Sequence, residues 1–446
     1  MALVDDDQPV AANNPLLDDD DDAPIKLTAV APADGPAADA HPRRGEVLLY
    51  TCLASSANAF LFMNFSPVVD LSEEVFGASA ADVSWLYSAS LLAVLPCFFA
   101  AGPFVAAPAT QRRALVLTHA LNFVAAALRV AAVALRSYWV ALASSLALGA
   151  AQGDHHLLHD AFKMPVPRFP DRGVGYRSGA AASLVISSFA SVPLVWLPSD
   201  ELGAGVAATV QSNFFGWFLG AVVVPYACKT RADLLALLAG QAAPLLVAGV
   251  VAAVRLPTTP PADEGAPPGS LSDATAALIK RPRWLACCAA YATAGGVGFA
   301  VPAAQDVVFG EVCGFSPRAA AVANGAFILA GVACGLALGR ARIASRRPRA
   351  VLVASMALGV VALAGLALTT TPPCSAPTSI ALMALAGAST IGFVGTALVE
   401  AAASAGPVAR ALSGGCVEFW IQGLGAALTQ GASWRGGFFV CAGAQA

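Results

Sequence analysis

Charge is scarce in this chain: 25 Lys and Arg and 28 Asp and Glu make 12% of its 446 residues, about half the share of an ordinary soluble domain. Such a surface does not keep a globular protein of this size in solution, and a net charge of -3 offers no basic face to nucleic acid. Histidine is rarer still. Of the five, His155, His156 and His159 stand in one stretch, so no dispersed set of imidazoles points to a metal centre or to general-base chemistry. None of the ten cysteines forms a C-x-x-C pair, and Cys287, Cys288, Cys334 and Cys416 lie inside apolar runs, where they read as small packed residues. No glycine-rich ATP-binding loop occurs, which excludes a nucleotide-driven machine. A basic segment followed at once by an apolar one, the mark of a cleaved signal, is also missing from the amino terminus, so the first span is expected to direct insertion.

What remains is hydrophobic: 57% of the residues are apolar and the mean hydropathy is +0.69. These residues recur in segments of about 20, the length of a helix crossing roughly 30 Å of hydrocarbon. Long unbroken runs such as LLALLAGQAAPLLVAGVVAAV exclude a barrel, whose strands alternate over about ten residues. The expected class is therefore all-α, a polytopic membrane helical bundle. Residues 1–45, with their VDDDQPV and LLDDDDDAP runs, read as a disordered acidic tail. Spans are expected near 46–67, 83–105, 114–135, 138–152 resumed at 183–197, 203–227, 233–254, 284–305, 318–339, 350–369, 379–402 and 411–430, and the closing WRGGFFVCAGAQA reads as a truncated twelfth helix. The polar stretch 256–282 divides these into halves at 46–255 and 283–446. Assigning the amino terminus to the cytoplasm places fourteen Lys and Arg in inner loops and flanks against five in outer ones, as the positive-inside rule requires. Two six-helix halves joined by a cytoplasmic linker is the organisation of major facilitator transporters, whose substrate sits between the halves near the midplane.

Particular segments sharpen this. The first two spans read SSANAFLFMNFSPVVDLSEEVFGASAADVSWLYSASLLAVLP; LNFVAAALRV follows in the third, VAATVQSNFFGWFLG in the fifth, AGGVGFA in the seventh, FILAGVACGLALG in the eighth, and GFVGTALVEAA with GGCVEFWIQGLG near the end. In this order they resemble the feline leukaemia virus subgroup C receptor-like family (solute carrier family 49) of the major facilitator superfamily, most closely the branch named major facilitator superfamily domain-containing protein 7, over about residues 46–440. The resemblance implies a multi-pass transporter that moves a small organic solute by alternating access. That solute would be an amine such as choline or ethanolamine, or a vitamin- or haem-like molecule. Transport would be gradient-driven, with no enzymatic activity and no cofactor. The expected partners are the solute and the lipid bilayer, not nucleic acid, and the expected state is a monomer in the plasma membrane or an endomembrane. A non-transporting, receptor-like relative is the alternative.

One stretch departs from the family. There a span runs unbroken from the Ala-Gln matching Ala151 and Gln152 into the Ser-Leu-Val-Ile matching Ser183 to Ile186, so residues 153–182 are extra. At membrane depth, Asp154, His155, Arg168 and Arg172 would each cost several kcal/mol by the larger estimates. The stretch reads as an insertion foreign to the fold, from a retained intron or gene-model error; a loop extruded from a broken helix is a second reading. A zinc site on His155, His159 and Asp160 is a third, but PVPRFPDRG directly after them gives no helical platform, and no metal ligand is assigned.

The family's substrate-binding positions carry over one by one. Asn58 matches the first-span asparagine and Gln422 the eleventh-span glutamine. Phe62 stands where a cage tryptophan is common, and Phe214 where choline-transporting members have glutamine; Asn213 beside it is retained. Glu400 matches the tenth-span glutamate and is expected to act as counter-ion or proton carrier, or else as a structural partner of a neighbouring helix. Arg129, deep in the third span, is expected to pair with an acid, and Glu418 to face either a headgroup or the cavity. Trp85 and Trp217 read as interfacial or packing residues. The loops AAPATQRRAL and GRARIASRRPR lack the acid that usually latches the inner face. GVACGLALG, with small residues at every fourth place, is expected to let the fifth and eighth spans approach and slide. Cys313 and Cys374, both in outer loops of this topology, permit a disulfide.

Overall fold

The structure is a computed structural model that describes residues 41–106, 108–151, 184–257, 271–370, 372–405, 410–432 and 441–444. The tail before residue 41, the 153–182 insertion, residues 258–270 of the linker and residues 433–440 of the last span lie outside the described residues.

The apolar runs fold as helices: α1 (Arg44–Phe62), α2 (Val69–Phe76), α3 (Ala80–Ala106), α4 (Pro108–Leu135), α5 (Tyr138–Ala151), α6 (Leu184–Trp196), α7 (Leu202–Ala227) and α8 (Arg231–Arg255), then α9 (Leu271–Ile279), α10 (Pro282–Gln305), α11 (Pro317–Arg340), α12 (Arg342–Arg346), α13 (Pro348–Thr369), α14 (Ala376–Thr390), α15 (Val394–Ser404) and α16 (Arg410–Ala432). Local chemistry sets several boundaries. Thr230 and Asp233 form a reciprocal capping box at the start of α8, and Ser316 accepts from the Ala319 amide to open α11. Gly77, at φ +62°, ends α2 in the left-handed region that favours glycine. Two features were not expected from hydropathy. The short amphipathic α2 buries Ser72, Val75 and Phe76, and the tenth span is interrupted by a turn at 391–393, between α14 and α15.

Eight of the described helices or joined helices are each long and apolar enough to cross a membrane. Their outward faces carry residues such as Val254, Leu135 and Val353, each more than 65% exposed; a hydrocarbon environment suits such faces and water does not.

In the first half α1 packs on α7, and α4 on α5 and α8; in the second α10 packs on α16, and α14 on α11 and α13. Two seams join the halves: α7 meets α11 and α15, while α16 meets α3 and α6. Two glycines of GVACGLALG shape the α7–α11 approach: a methyl group added at Gly335 would meet Gln211 of α7, and one added at Gly339 would meet Ala207 and Gly203. Within the second half, one added at Gly387 of α14 would overlap the Phe327 carbonyl of α11.

One end of the first half is tied by ion pairs. The Arg44 guanidinium donates to both carboxylate oxygens of Glu201, at 3.0 and 2.9 Å. Glu46 accepts from Arg43 at 2.5 Å and from Arg255 at 3.0 Å. Arg112, which lacks a neighbouring acid in sequence, donates instead to the carbonyls of Leu256 (3.1 Å) and Ala253 (2.6 Å), satisfying the free carboxyl end of α8. In the second half Cys313 and Cys374, 61 residues apart, form a disulfide.

Candidate substrate cavity

A chamber lies where the two halves meet, and helical spacing explains its walls. Val210, Asn213, Phe214 and Trp217 recur three or four residues apart, so α7 presents them on one face; Glu418, Ile421 and Gln422 do the same on α16. Phe62 of α1, Leu91 of α3, Phe189 of α6, Tyr291 and Phe299 of α10, and Val394 of α15 complete the lining. The space that the centre of a water molecule can reach is about 20 Å³, room for a water or two, against the several hundred Å³ of a typical ligand pocket. At this size the chamber does not hold an organic solute.

Aromatic rings dominate. Trp217 is the hub: its ring centroid is 4.8 Å from Phe299, 5.8 Å from Phe214 and 6.2 Å from Phe62, and Phe62 in turn meets Tyr87 edge-on at 5.1 Å. The polar groups are few; Tyr291, Glu418 and Gln422 are buried and Asn213 is partly so. The Tyr291 hydroxyl donates to Glu418, Asn213 Nδ2 donates to the Ser55 carbonyl at 3.4 Å, and Gln422 Oε1 is buried with no hydrogen-bond partner. Among the described residues no Lys, Arg or His lines the chamber.

Of the positions expected to bind substrate, Phe62, Asn213, Phe214 and Gln422 line this chamber, whereas Asn58 and Glu400 do not. Asn58 Nδ2 donates to Asn122 Oδ1 at 2.8 Å, and Asn122 Nδ2 donates to the Ala54 carbonyl at 2.9 Å, so this asparagine stitches α1 to α4. Glu400 Oε1 accepts from Nη2 (2.7 Å) and Nε (3.2 Å) of Arg283 and clips α15 to α10. Arg129, expected to pair with an acid, is buried with its guanidinium 4.7 Å above the Phe65 ring, and its Nε and Nη1 have no hydrogen-bond partner. Trp85 is half exposed.

Among the chamber residues, sequence reading left Glu418 undecided, assigned Trp217 to packing and passed over Tyr291 and the apolar wall. Two carried a signal. Glu418 lies one helical turn before Gln422, and Trp217 one turn after Phe214, so each shares its neighbour's face. Among the described residues no three His, Cys, Asp or Glu side chains group as a metal site.

Solved structures of membrane transporters, one of them described as a major facilitator superfamily transporter, share this fold. The Escherichia coli fucose:proton symporter FucP, in a single-residue variant, superposes with a TM-score of 0.61 at 12% identity, covering 89% of this chain and 95% of that one. FucP in its outward conformation gives a TM-score of 0.60, also at 12% identity, over 89% and 96%. A bacterial homologue of the human lysosomal transporter Spinster, inward-facing and unoccupied, gives 0.54 at 14% identity over 87% and 81%. No protein-family profile matches the chain.

Proposed function

We propose that the protein carries a small organic amine across a membrane by alternating access, with the chamber between the halves as its binding site. One observation carries this reading: a buried carboxyl, Glu418, faces an aromatic box that contains no basic side chain among the described residues. Each aromatic face adds about 0.5–2 kcal/mol for a cation while binding water weakly, and Glu418 supplies the counter-charge. The sequence resemblance to solute carrier family 49 agrees with an amine cargo. A sugar, the substrate of the fucose symporter, asks for a dense set of hydrogen-bonding side chains, and among the described residues this wall offers Asn213, Tyr291, Glu418 and Gln422.

In this reading the halves are 46–255 and 283–446, joined by a cytoplasmic linker at 256–282. The ion-paired end near Arg44, Arg112 and Arg255 faces the cytoplasm, and the Cys313–Cys374 disulfide faces the opposite, oxidising side. Alternation then works by sliding at the α7–α11 and α3–α16 seams.

The test is uptake of radiolabelled amines by purified protein in liposomes. The expected result is saturable uptake that Glu418→Gln abolishes and Glu400→Gln spares. Absence of saturable flux for every amine tried would refute the reading and favour a receptor-like protein.

A further inference from the structure

Building on the amine-carrier reading, we propose that the chamber exchanges one proton for each cation, Glu418 carrying the proton when the chamber is empty and surrendering it when the amine enters. Its surroundings carry the argument. Glu418 is 3% exposed and lies among Phe62, Phe189, Phe214, Trp217 and Phe299, with the Tyr291 hydroxyl as its hydrogen-bond donor. An anionic carboxyl at membrane depth is stable only if something neutralises it.

Among the described residues the helices packed on α16 place no unpaired cation at this carboxyl: Arg283 of α10 is held by Glu400. From α10 the Tyr291 hydroxyl faces Glu418, with the Cys288 thiol next to that tyrosine. Cys416 of α16 itself has Thr275 of α9 as its hydrogen-bond neighbour. From α3 comes Tyr87, in ring contact with Phe62 and Trp217. The described side chains of α6, from Ser188 to Trp196, include no titratable group. From α15 comes Glu400, whose carboxylate is held by Arg283. Two neutralising agents remain, a proton or the cargo cation, and they compete for one carboxyl.

Gln422 gives a second, independent sign. Its Oε1 is a buried acceptor with no donor, an arrangement that proteins seldom leave unmet, and it lies one turn from Glu418 on the same wall. The O–H of a protonated Glu418 or an N–H of the cargo can reach this wall, so the site favours a protonated amine bearing at least one N–H over a quaternary ammonium. The exchange balances. The ammonium ion meets the neutral carboxylic acid, the O–H bond of Glu418 breaks, the proton passes to water on the side to which the chamber is open, and an ammonium–carboxylate pair remains. Net charge in the chamber is zero before and after, so moving a monovalent cation one way returns one proton the other way and is electroneutral.

The test uses proteoliposomes loaded with acid buffer, a labelled primary amine outside, and imposed potassium diffusion potentials. The expected accumulation is about tenfold per unit of pH difference and does not respond to membrane potential. Glu418→Gln loses this pH-driven accumulation and Glu418→Asp keeps it. In weakly buffered detergent solution, saturating wild-type protein with the amine releases about one proton per cation bound, a readout that needs no variant. Accumulation that follows the potential and ignores the pH gradient, or binding without proton release, overturns the exchange while leaving amine transport standing. Absence of any amine binding overturns the carrier reading itself, and the exchange with it.

Discussion

Removing the guanidinium of Arg283 strands a carboxylate. Glu400 is only 3% exposed, and its Oε1 takes both hydrogen bonds from an arginine side chain that is 33% exposed. Breaking a fully buried ion pair from one side costs about 3–5 kcal/mol because the survivor keeps its charge without a partner, whereas surface pairs are worth about 0–1 kcal/mol. With one partner buried and the other part-exposed, Arg283→Met is expected to cost about 2 kcal/mol. Over a chain of this length that lowers the unfolding midpoint by about 2–3 °C. Glu400→Gln alone leaves Arg283 free to turn to water and costs less. The double variant, which removes both charges, returns close to wild type, because replacing a buried pair by neutral groups is often nearly free. Unfolding in detergent, followed by reaction of the buried thiols Cys287 and Cys288 with a fluorescent maleimide, reads all four proteins. An Arg283→Met midpoint equal to wild type, or a double variant as unstable as the single one, refutes the clip. Amine uptake that fails in Glu400→Gln while the protein stays folded refutes its placement outside the binding chemistry.

Three further outcomes follow from the same geometry. Trp217→Ala removes the hub of the aromatic box and should weaken amine binding roughly 2- to 30-fold, with Trp217→Phe intermediate; equilibrium binding of a labelled amine reads this. Gly387→Ala drives a methyl into the Phe327 carbonyl and should destabilise by about 1–3 kcal/mol as α11 and α14 are forced apart. Gly240→Ala, with open space around its Cβ, should instead stabilise α8 by up to about 1 kcal/mol, and thermal midpoints of the two variants compare them directly. The Arg44–Glu201 pair predicts a pH effect: hydrogen bonding from Arg44, then the attraction of its charge, holds the Glu201 carboxyl below its ordinary 4.5. A depressed folded value contributes stability above that ordinary value and loses it as pH falls below. The wild-type midpoint should therefore drop more steeply than that of Glu201→Gln on acidification through that range, and parallel curves would show that the pair contributes nothing.

The spans were legible because a 20-residue apolar run has few alternatives to a membrane helix. Each expected span from the first to the eleventh has a helix at its position, with boundaries displaced by a few residues. The turn between α14 and α15 was not legible, since GASTIGFVGTA keeps the hydropathy high while its glycines loosen the helix. Side-chain direction was the harder matter. In a span apolar on every face, periodicity does not say which side looks inward, so Asn58 and Glu400 could be placed in depth but not in azimuth. Their partners settle the azimuth, and Asn122 and Arg283 lie 64 and 117 residues away in sequence. Glu418 was readable in retrospect from its spacing to Gln422, a local relation. Tyr291 had no such neighbour, and only the packing of α10 on α16 brings its hydroxyl to the carboxyl.

The central claim is that a cationic solute sits between the halves, in contact with Trp217, Glu418 and Gln422. A density map of the protein saturated with a primary amine tests it most directly. The account predicts ligand density inside an enlarged chamber, its ammonium group at the Glu418 carboxylate and within about 6 Å of the Trp217 ring. Ligand bound elsewhere on the protein, with the chamber still too small for a solute, would contradict it.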